Sequence, residues 1–515
     1  MSTIARVISG SVSSWVRIGV SMIAQMALVP LYLTHWNVKT YGVWLSIQAF
    51  ISVMATLDNG HQTFLAYEFL KFGRIKLDKL REYLWSGAVV GLFLGILQII
   101  ITILLLYTGL LGKVLGEAHL EDQALIRSII YVLFALEISW LFCGSVGGIF
   151  VRVLSPFGYY PRFSWWGVLS AVVTSIAPAI AVVYGGDLLL AGEVLAIATI
   201  AFNIPQFIDM YILMRKENIG FVRPSIKTGF MNFKFSLLLS GKGLLENVRQ
   251  QGVRIILTPM VGASGLANFS TLRTGANVAL QGLNTIVNPL EPELMRFLHQ
   301  KDQARSEASF GTIWIVLMAI MAPMVLIVQM FIGPIYTIWT RGQIPFNPIL
   351  FATLSLGVLV YAVSQPAIAI VVGNNLLRSQ LVLSIISAIV VILGLVIFIP
   401  YFGLMGAGIA LLLAEIISTN GYRYVARNWL QENGLIWPKA SSRIASASVW
   451  ITAGGMASMI WIPSLKWVSL ILALALLVWN FWRYWKVLPP LATEKAMFFL
   501  SKLPGMKHLI IKKAN

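Results

Sequence analysis

The sequence predicts an all-α polytopic membrane protein with about 14 transmembrane helices. Of its 515 residues, 58% are hydrophobic and 11% are charged, whereas a soluble domain carries about 25% charged residues. The mean hydropathy is +0.81, and apolar stretches of about 20 residues, the length that crosses a bilayer, recur along the whole chain. These observations exclude an ordinary water-soluble enzyme and, because disorder requires low hydrophobicity, a disordered protein.

The predicted spans fall into groups of six, six and two. The first group of apolar segments lies near residues 11–35, 40–64, 84–111, 124–150, 163–185 and 190–214. The second group lies near residues 235–260, 266–290, 308–333, 348–373, 379–401 and 404–426. The last two segments lie near 443–463 and 466–487.

This grouping predicts five parts of the chain. They are an N-terminal six-helix bundle (1–214), a basic cytoplasmic linker (215–234), a C-terminal six-helix bundle (235–426), two additional transmembrane helices (427–487) and a basic cytoplasmic tail (488–515). Many transporters are built from two related halves that face each other across a substrate site. We therefore expect two pseudo-symmetric six-helix bundles around a central cavity.

The excess of basic residues predicts the orientation of the chain. There are 38 Lys and Arg against 20 Asp and Glu, a formal net charge of +18. Starting with the N-terminus in the cytoplasm, alternation of the spans places most of the basic residues on the cytoplasmic side, as the positive-inside rule requires. Both termini are then cytoplasmic. The basic excess does not predict a nucleic-acid partner, because that requires a folded basic surface or arm.

The single cysteine limits the covalent and metal chemistry. Cys143 alone excludes an intramolecular disulfide and a cysteine-based metal cluster. We predict no metal site and no catalytic residues.

Charged residues inside the predicted spans are the main candidates for function. Each costs about 2.5 to 3.5 kcal/mol near the bilayer centre, so it should face protein, water or ligand. Lys242, Glu246 and Arg249 are spaced i, i+4, i+7, which places them on one helix face. Arg254 borders this stripe, and Arg273 lies on the next span. We expect these cations to line a hydrated cavity and bind an anion.

Pairing within the helix is the alternative for this stripe. Glu246 can pair with Lys242 and Arg249 at helical spacing, but this pairing does not account for Arg254 and Arg273. A pyrophosphate or an acidic sugar would supply the missing negative charge through bidentate contacts. The anionic-substrate interpretation is therefore preferred, with Glu246 as a candidate for gating or ion coupling.

In the first half, Arg17 and Asp58 fall at matched depth in the first two predicted spans. One interpretation is an ion pair that holds these spans together. The other makes Asp58 a protonatable gate or ion-coupling residue, and Arg17 a further cation of the substrate site. Other polar residues within spans, Gln25, Asn203, Asp209 and Glu415, are expected to form interhelical hydrogen bonds.

The N-terminal region resembles a known family. Arg17, Pro30, Tyr41-Gly42-Val43-Trp44 and Asp58-Asn59-Gly60, together with the span pattern, resemble the Wzx-type O-antigen and polysaccharide flippases. These form the polysaccharide transport branch of the multidrug/oligosaccharidyl-lipid/polysaccharide (MOP) exporter superfamily.

The resemblance implies a specific activity and location. The expected function is translocation of an undecaprenyl-pyrophosphate-linked oligosaccharide, an O-antigen or similar repeat unit of lipopolysaccharide or polysaccharide biosynthesis, from the cytoplasmic to the periplasmic leaflet of a bacterial inner membrane. The mechanism would be alternating access with a cationic cavity, onto which Lys242, Arg249, Arg254 and Arg273 map. The resemblance also implies H⁺ or Na⁺ as coupling ion, with no other cofactor. The expected partners are membrane lipids and the polysaccharide polymerase machinery.

Two other functions remain open from the sequence. A drug/cation antiporter of the same superfamily would be expected to have an acidic and aromatic cavity, whereas the cavity predicted here is basic. A membrane-embedded glycan polymerase or transferase is the other alternative. If this enzyme were an O-acyltransferase, it would need a buried histidine base, and all five histidines are expected at span ends or in loops. We therefore predict a transporter and not an enzyme.

Overall fold

The computed structural model describes residues 3–115, 123–247, 251–287, 290–489 and 493. Regular structure in these ranges is helical. The first helices are α1 Thr3–His35, α2 Val38–Met54, α3 Thr56–Phe72, α4 Leu77–Tyr107, α5 Leu110–Val114, α6 Gln123–Trp140, α7 Gly147–Val153, α8 Tyr160–Val183, α9 Leu188–Lys216 and α10 Ile226–Asn247. They are followed by α11 Val253–Val287, α12 Leu290–His299, α13 Gln303–Val316, α14 Ala322–Trp339, α15 Pro348–Gly373, α16 Leu377–Phe402, α17 Leu404–Glu432, α18 Lys439–Trp461 and α19 Lys466–Val487.

Within the described residues, 13 helical segments are long and apolar enough to cross a membrane. The predicted all-α polytopic membrane fold is confirmed. The span predicted over 235–260 falls on α10, which is described to Asn247, and on the start of α11 at Val253, and residues 248–250 lie outside the described part of the chain. Inside α11, Gly262 has φ +72°, a left-handed backbone that interrupts the helix. This interruption falls at the predicted connection between the seventh and eighth spans.

The chain divides by its contacts into two units. The N-terminal unit comprises Met1–Thr271 and Trp339–Pro345, and the C-terminal unit comprises Leu272–Ile338 and Phe346–Asn515. This division differs from the sequence-based boundaries at 214 and 235, and the six-plus-six arrangement stays a prediction.

In the N-terminal unit, α10 packs against α3 and α4, and α8 packs against α1 and α9. One close approach is made at Gly60, where a Cβ atom would lie 2.3 Å from the Ser240 Cα on α10. A buried core lies at the end of α3 and the start of α4, with Leu65, Phe69, Leu80, Leu84, Val153 and Leu213.

The basic segment between α9 and α10 is fixed to the first turns of α4 and the end of α3. Arg74 pairs with Glu217 at 2.9 Å. The Arg81 Nε donates to the Asn218 carbonyl at 3.0 Å, and the Trp85 indole donates to the Gly220 carbonyl at 3.0 Å. These contacts hold the segment against this end of the N-terminal unit.

In the C-terminal unit, α17 packs against α15 and α16, and α18 packs against α15 and α19. The Trp314 indole is fully buried and donates to the Val363 carbonyl at 3.0 Å. The Asn480 amide joins α19 to α18 through the Ser448 hydroxyl at 2.8 Å. The predicted basic tail lies mostly outside the described residues, which end at 489 apart from 493.

Candidate functional site

A buried carboxylate lies near the start of α3. α2 and α3 form a single candidate span, Val38–Phe72, with their junction at Ala55. Asp58 follows this junction and is 0% exposed. A carboxylate at this position inside a span requires partners, because isolated charges are costly in a low-dielectric environment.

Three neutral donors from two other helical segments hold this carboxylate. The Asp58 Oδ2 accepts from the Gln98 amide at 3.3 Å and from the Trp140 indole at 3.1 Å. It also accepts from the Ser145 hydroxyl. The Asp58 Oδ1 is buried and has no hydrogen-bond partner. One carboxylate oxygen of Asp58 therefore accepts three hydrogen bonds, and the other, which we call the open oxygen, accepts none.

A π-helical turn, Leu141–Val146, presents Ser145 to this site. π-Helical turns inside α-helices are rare and occur often at functional sites. The Gln62 amide donates to the Gly144 carbonyl at 3.0 Å and to the Ser145 carbonyl at 3.4 Å, so it satisfies backbone groups of the turn. The Gln62 side-chain oxygen accepts from Arg152. Asp58 and Arg152 interact electrostatically, and Gln62 links them through the turn.

A second buried carboxylate is bonded between α4 and α6, the same two helices that carry Gln98 and Trp140. The Thr102 hydroxyl donates to the Glu137 Oε1, and the Glu137 Oε2 is buried without a hydrogen-bond partner. Thr102 lies one turn beyond Gln98 on α4, and Glu137 lies about one turn before Trp140 on α6. Two carboxylates thus follow one another along the contact between α4 and α6.

The arrangement suits reversible uptake of a proton or a small monovalent cation. Neutral donors hold each carboxylate in place, and each retains one open oxygen. A proton or a cation on that oxygen would neutralise the carboxylate without displacing the donors.

Of the two interpretations of Arg17 and Asp58, the ion pair between them is wrong. The Arg17 side chain is exposed on α1, whereas Asp58 is buried and bonded to Gln98, Trp140 and Ser145. Matched depth along two spans does not determine which of their faces meet.

The expectation that all five histidines lie at span ends or in loops is wrong for His61. His61 is 0% exposed in the middle of the Val38–Phe72 span. Its Nδ1 lies 3.4 Å from the Ser236 hydroxyl, and its ring meets the edge of the Phe233 ring on α10. The predicted span ended near residue 64, so His61 was placed too close to the end.

The structure describes only part of the predicted cationic stripe. Lys242 and Glu246 lie on α10, but their side chains are outside the described part of the chain, and Arg249 lies outside the described residues. Arg254 lies in the first turn of α11 in the N-terminal unit, where its Nε is buried without a hydrogen-bond partner. Arg273 lies further along α11 in the C-terminal unit and is partly buried. Substrate binding by these residues stays a prediction.

Arg254 lies near the Tyr41-Gly42-Val43-Trp44 motif of α2. Tyr41 is buried and lies near the Arg254 side chain. A Cβ atom on Gly42 would lie 1.9 Å from the Ala263 carbonyl oxygen, so α2 touches the backbone just after the break at Gly262. Trp44 packs with its ring centroid 6.0 Å from that of Trp36. The Tyr-Gly-Val-Trp motif therefore packs α2 against α11 and the end of α1.

Asn247 makes the corresponding contact at the end of α10. Its amide donates to the Ser52 carbonyl at 2.7 Å and to the Thr56 hydroxyl. This contact fixes α10 at the junction between α2 and α3, three residues before Asp58.

Comparison with known proteins shows which fold this is. No protein-family model matches the sequence, and no curated protein matches it. Solved structures do match. The lipid II flippase MurJ, in an inward closed conformation, has a TM-score of 0.61 at 12% identity and covers 92% of this chain and 99% of its own.

Multidrug transporters of the MATE family have the same fold. An inward-facing MATE transporter of the MOP superfamily has a TM-score of 0.59 at 14% identity and covers 84% of this chain and 99% of its own. A variant of the MATE transporter VcmN from Vibrio cholerae has a TM-score of 0.55 at 14% identity and covers 82% of this chain and 98% of its own. This chain has the fold of MurJ and the MATE transporters.

Proposed function

We propose that this protein is a flippase for a lipid-linked oligosaccharide. The observation that carries the proposal is the likeness to the lipid II flippase MurJ, which covers 92% of this chain, against 84% for the inward-facing MATE transporter. The proposed substrate is an undecaprenyl-pyrophosphate-linked repeat unit of O-antigen or a similar polysaccharide, moved to the periplasmic leaflet by alternating access.

Cationic side chains within the spans are proposed to bind the pyrophosphate of this substrate. Arg254 supports this role because its buried Nε has no hydrogen-bond partner, and a guanidinium binds phosphate oxygens in a bidentate manner. Arg17 is exposed and accessible to a ligand. Lys242, Arg249 and Arg273 complete the proposed set.

Asp58 is the proposed ion-coupling residue, with H⁺ or Na⁺ as the ion. Its open carboxylate oxygen and three neutral donors support this role. Glu246 remains a second candidate from the sequence. Glu137 joins them, since it has the same combination of burial and an open oxygen.

The proposed location is the bacterial inner membrane, with both termini in the cytoplasm. The distribution of basic residues along the sequence supports this orientation. In this location the proposed partners are membrane lipids and the polymerase machinery that would use the translocated repeat unit.

Binding of the proposed substrate can be measured by thermal stability. A ligand at 100 times its Kd stabilises the protein by about 2.7 kcal/mol, so the undecaprenyl-pyrophosphate oligosaccharide should raise the Tm of the detergent-purified protein. Arg254→Gln should reduce this shift, whereas Arg378→Gln, at an exposed position on α16, should retain it. Absence of a shift in the unmodified protein at saturating ligand would contradict the proposal.

A drug/cation antiporter is the second candidate. Two observations favour it, the fold shared with MATE transporters and the buried carboxylates Asp58 and Glu137. Under this alternative the carboxylates would exchange an organic cation for H⁺ or Na⁺. Efflux of an organic cation that depends on the protein and is lost in Asp58→Asn would favour the antiporter.

A further inference from the structure

The C-terminal unit contains a pocket between α15, α17 and α18 that the proposed transport function does not use. Its volume is about 180 Å³. The wall is mostly apolar and includes Val360, Ile416 and Val449. Trp450 lines the pocket and is 73% exposed, so the pocket opens at the surface of the unit.

An arginine lies inside this apolar pocket. Arg423 on α17 donates to the Ser446 hydroxyl on α18 at 2.8 Å. Its Nε is buried and has no hydrogen-bond partner. Within the described part of the chain, no carboxylate forms an ion pair with Arg423. A guanidinium with one neutral partner in an apolar pocket lacks the charge compensation that buried cations require.

The polar groups of the pocket lie together at one end. Asn420 precedes Arg423 by three residues on α17 and lines the same pocket. Exposed Arg427, Lys439 and Arg443 continue the basic surface along the adjacent ends of α17 and α18. In the other direction the pocket continues to Leu412, which is 11 residues or about 16 Å from Arg423 along the helix.

This gradient from a cationic end to an apolar end matches one class of ligand. We propose that the pocket binds an anionic phospholipid of the surrounding membrane, with its phosphate on Arg423 and Ser446 and one acyl chain along Ile416 and Val449. The phosphate supplies the missing negative charge through charge-assisted hydrogen bonds. Basic pockets between transmembrane helices are an established way to bind anionic lipid head groups. This proposal does not depend on the identity of the transported substrate.

The test compares lipids by native mass spectrometry of the full-length protein. The probes are phosphatidylglycerol, phosphatidylcholine with the same acyl chains, and inorganic phosphate. Phosphatidylglycerol should bind at least about tenfold more tightly than phosphatidylcholine, and inorganic phosphate should not compete at millimolar concentration. Equal binding of the two lipids, or displacement by inorganic phosphate, would overturn the proposal.

Two variants separate the charge of the pocket from its space. Arg423→Gln removes the charge, and Ala453→Trp fills the apolar part while leaving Arg423 in place. Each should weaken phosphatidylglycerol binding about tenfold. Arg378→Gln, at an exposed position on α16 outside the pocket, should leave binding unchanged. Preferential binding of phosphatidylglycerol that survives either pocket variant, or that is lost in Arg378→Gln, would overturn the proposal.

Discussion

The Trp140 indole nitrogen lies 3.1 Å from the Asp58 Oδ2 and donates a hydrogen bond to it. This contact joins α6 to α3 inside the N-terminal unit. An indole donates but does not accept hydrogen bonds. It therefore holds Asp58 in place whether or not the other carboxylate oxygen carries a proton or a cation.

We predict that Asp58→Asn uncouples transport from the ion gradient. The amide is nearly isosteric and cannot become negatively charged, so it cannot bind a coupling cation or proton in the same way. Gradient-driven transport in vesicles should fall at least about tenfold, while exchange without a gradient should persist. Asp78→Asn, at a carboxylate that is 96% exposed, is the control. Unchanged gradient-driven transport in Asp58→Asn would remove Asp58 from the coupling mechanism.

Gly60→Ala should destabilise the N-terminal unit. The new Cβ would lie 2.3 Å from the Ser240 Cα, so α3 and α10 would have to move apart. Overpacking of this kind costs about 1 to 3 kcal/mol. The Tm in detergent would report the loss.

Gly167→Ala is the matched control for this substitution. Gly167 also lies inside a helix, α8, and nothing lies within 4 Å of a Cβ atom there. Alanine has the higher helix propensity by about 1 kcal/mol, so Gly167→Ala should keep or raise the Tm. Equal Tm changes in the two variants would show that the close approach at Gly60 is not important for stability.

Asp209→Ala should lower stability without a direct effect on transport. Asp209 receives two hydrogen bonds from Arg162, at 2.8 and 2.6 Å, and one from the Trp166 indole at 3.0 Å. Removal of a buried acceptor of this kind costs about 1 to 3 kcal/mol. A double-mutant cycle with Arg162→Ala would measure the coupling energy. A coupling energy of zero would mean that the pair contributes nothing to stability.

The sequence was sufficient to predict the fold class, because hydropathy depends on composition and length. It also predicted the break near Gly262 and the interhelical role of Asp209. Glu137 was missed, although an acid inside the apolar segment 124–150 is the same kind of signal that identified Asp58. The partners of Asp58 could not be predicted. They depend on the rotation of α4 and on the π-helical turn at Leu141–Val146, and neither is visible in hydrophobic periodicity.

The pocket around Arg423 was also beyond the sequence analysis. Arg423 lies near the end of the predicted twelfth span, 404–426, and nothing in the sequence distinguished it from the other basic residues at span ends. In the structure α17 continues to Glu432, and Arg423 contacts α18 through Ser446. A hydropathy window locates a span, but its ends are uncertain by several residues.

The proposed function is translocation of a lipid-linked oligosaccharide. The most direct measurement is the rate at which a fluorescent undecaprenyl-pyrophosphate oligosaccharide crosses the membrane of vesicles that contain the purified protein. We predict a rate clearly above that of protein-free vesicles, reduced at least about tenfold by Arg254→Gln and retained by Arg378→Gln. A rate equal to that of protein-free vesicles, with an imposed H⁺ gradient and with an imposed Na⁺ gradient, would contradict the claim.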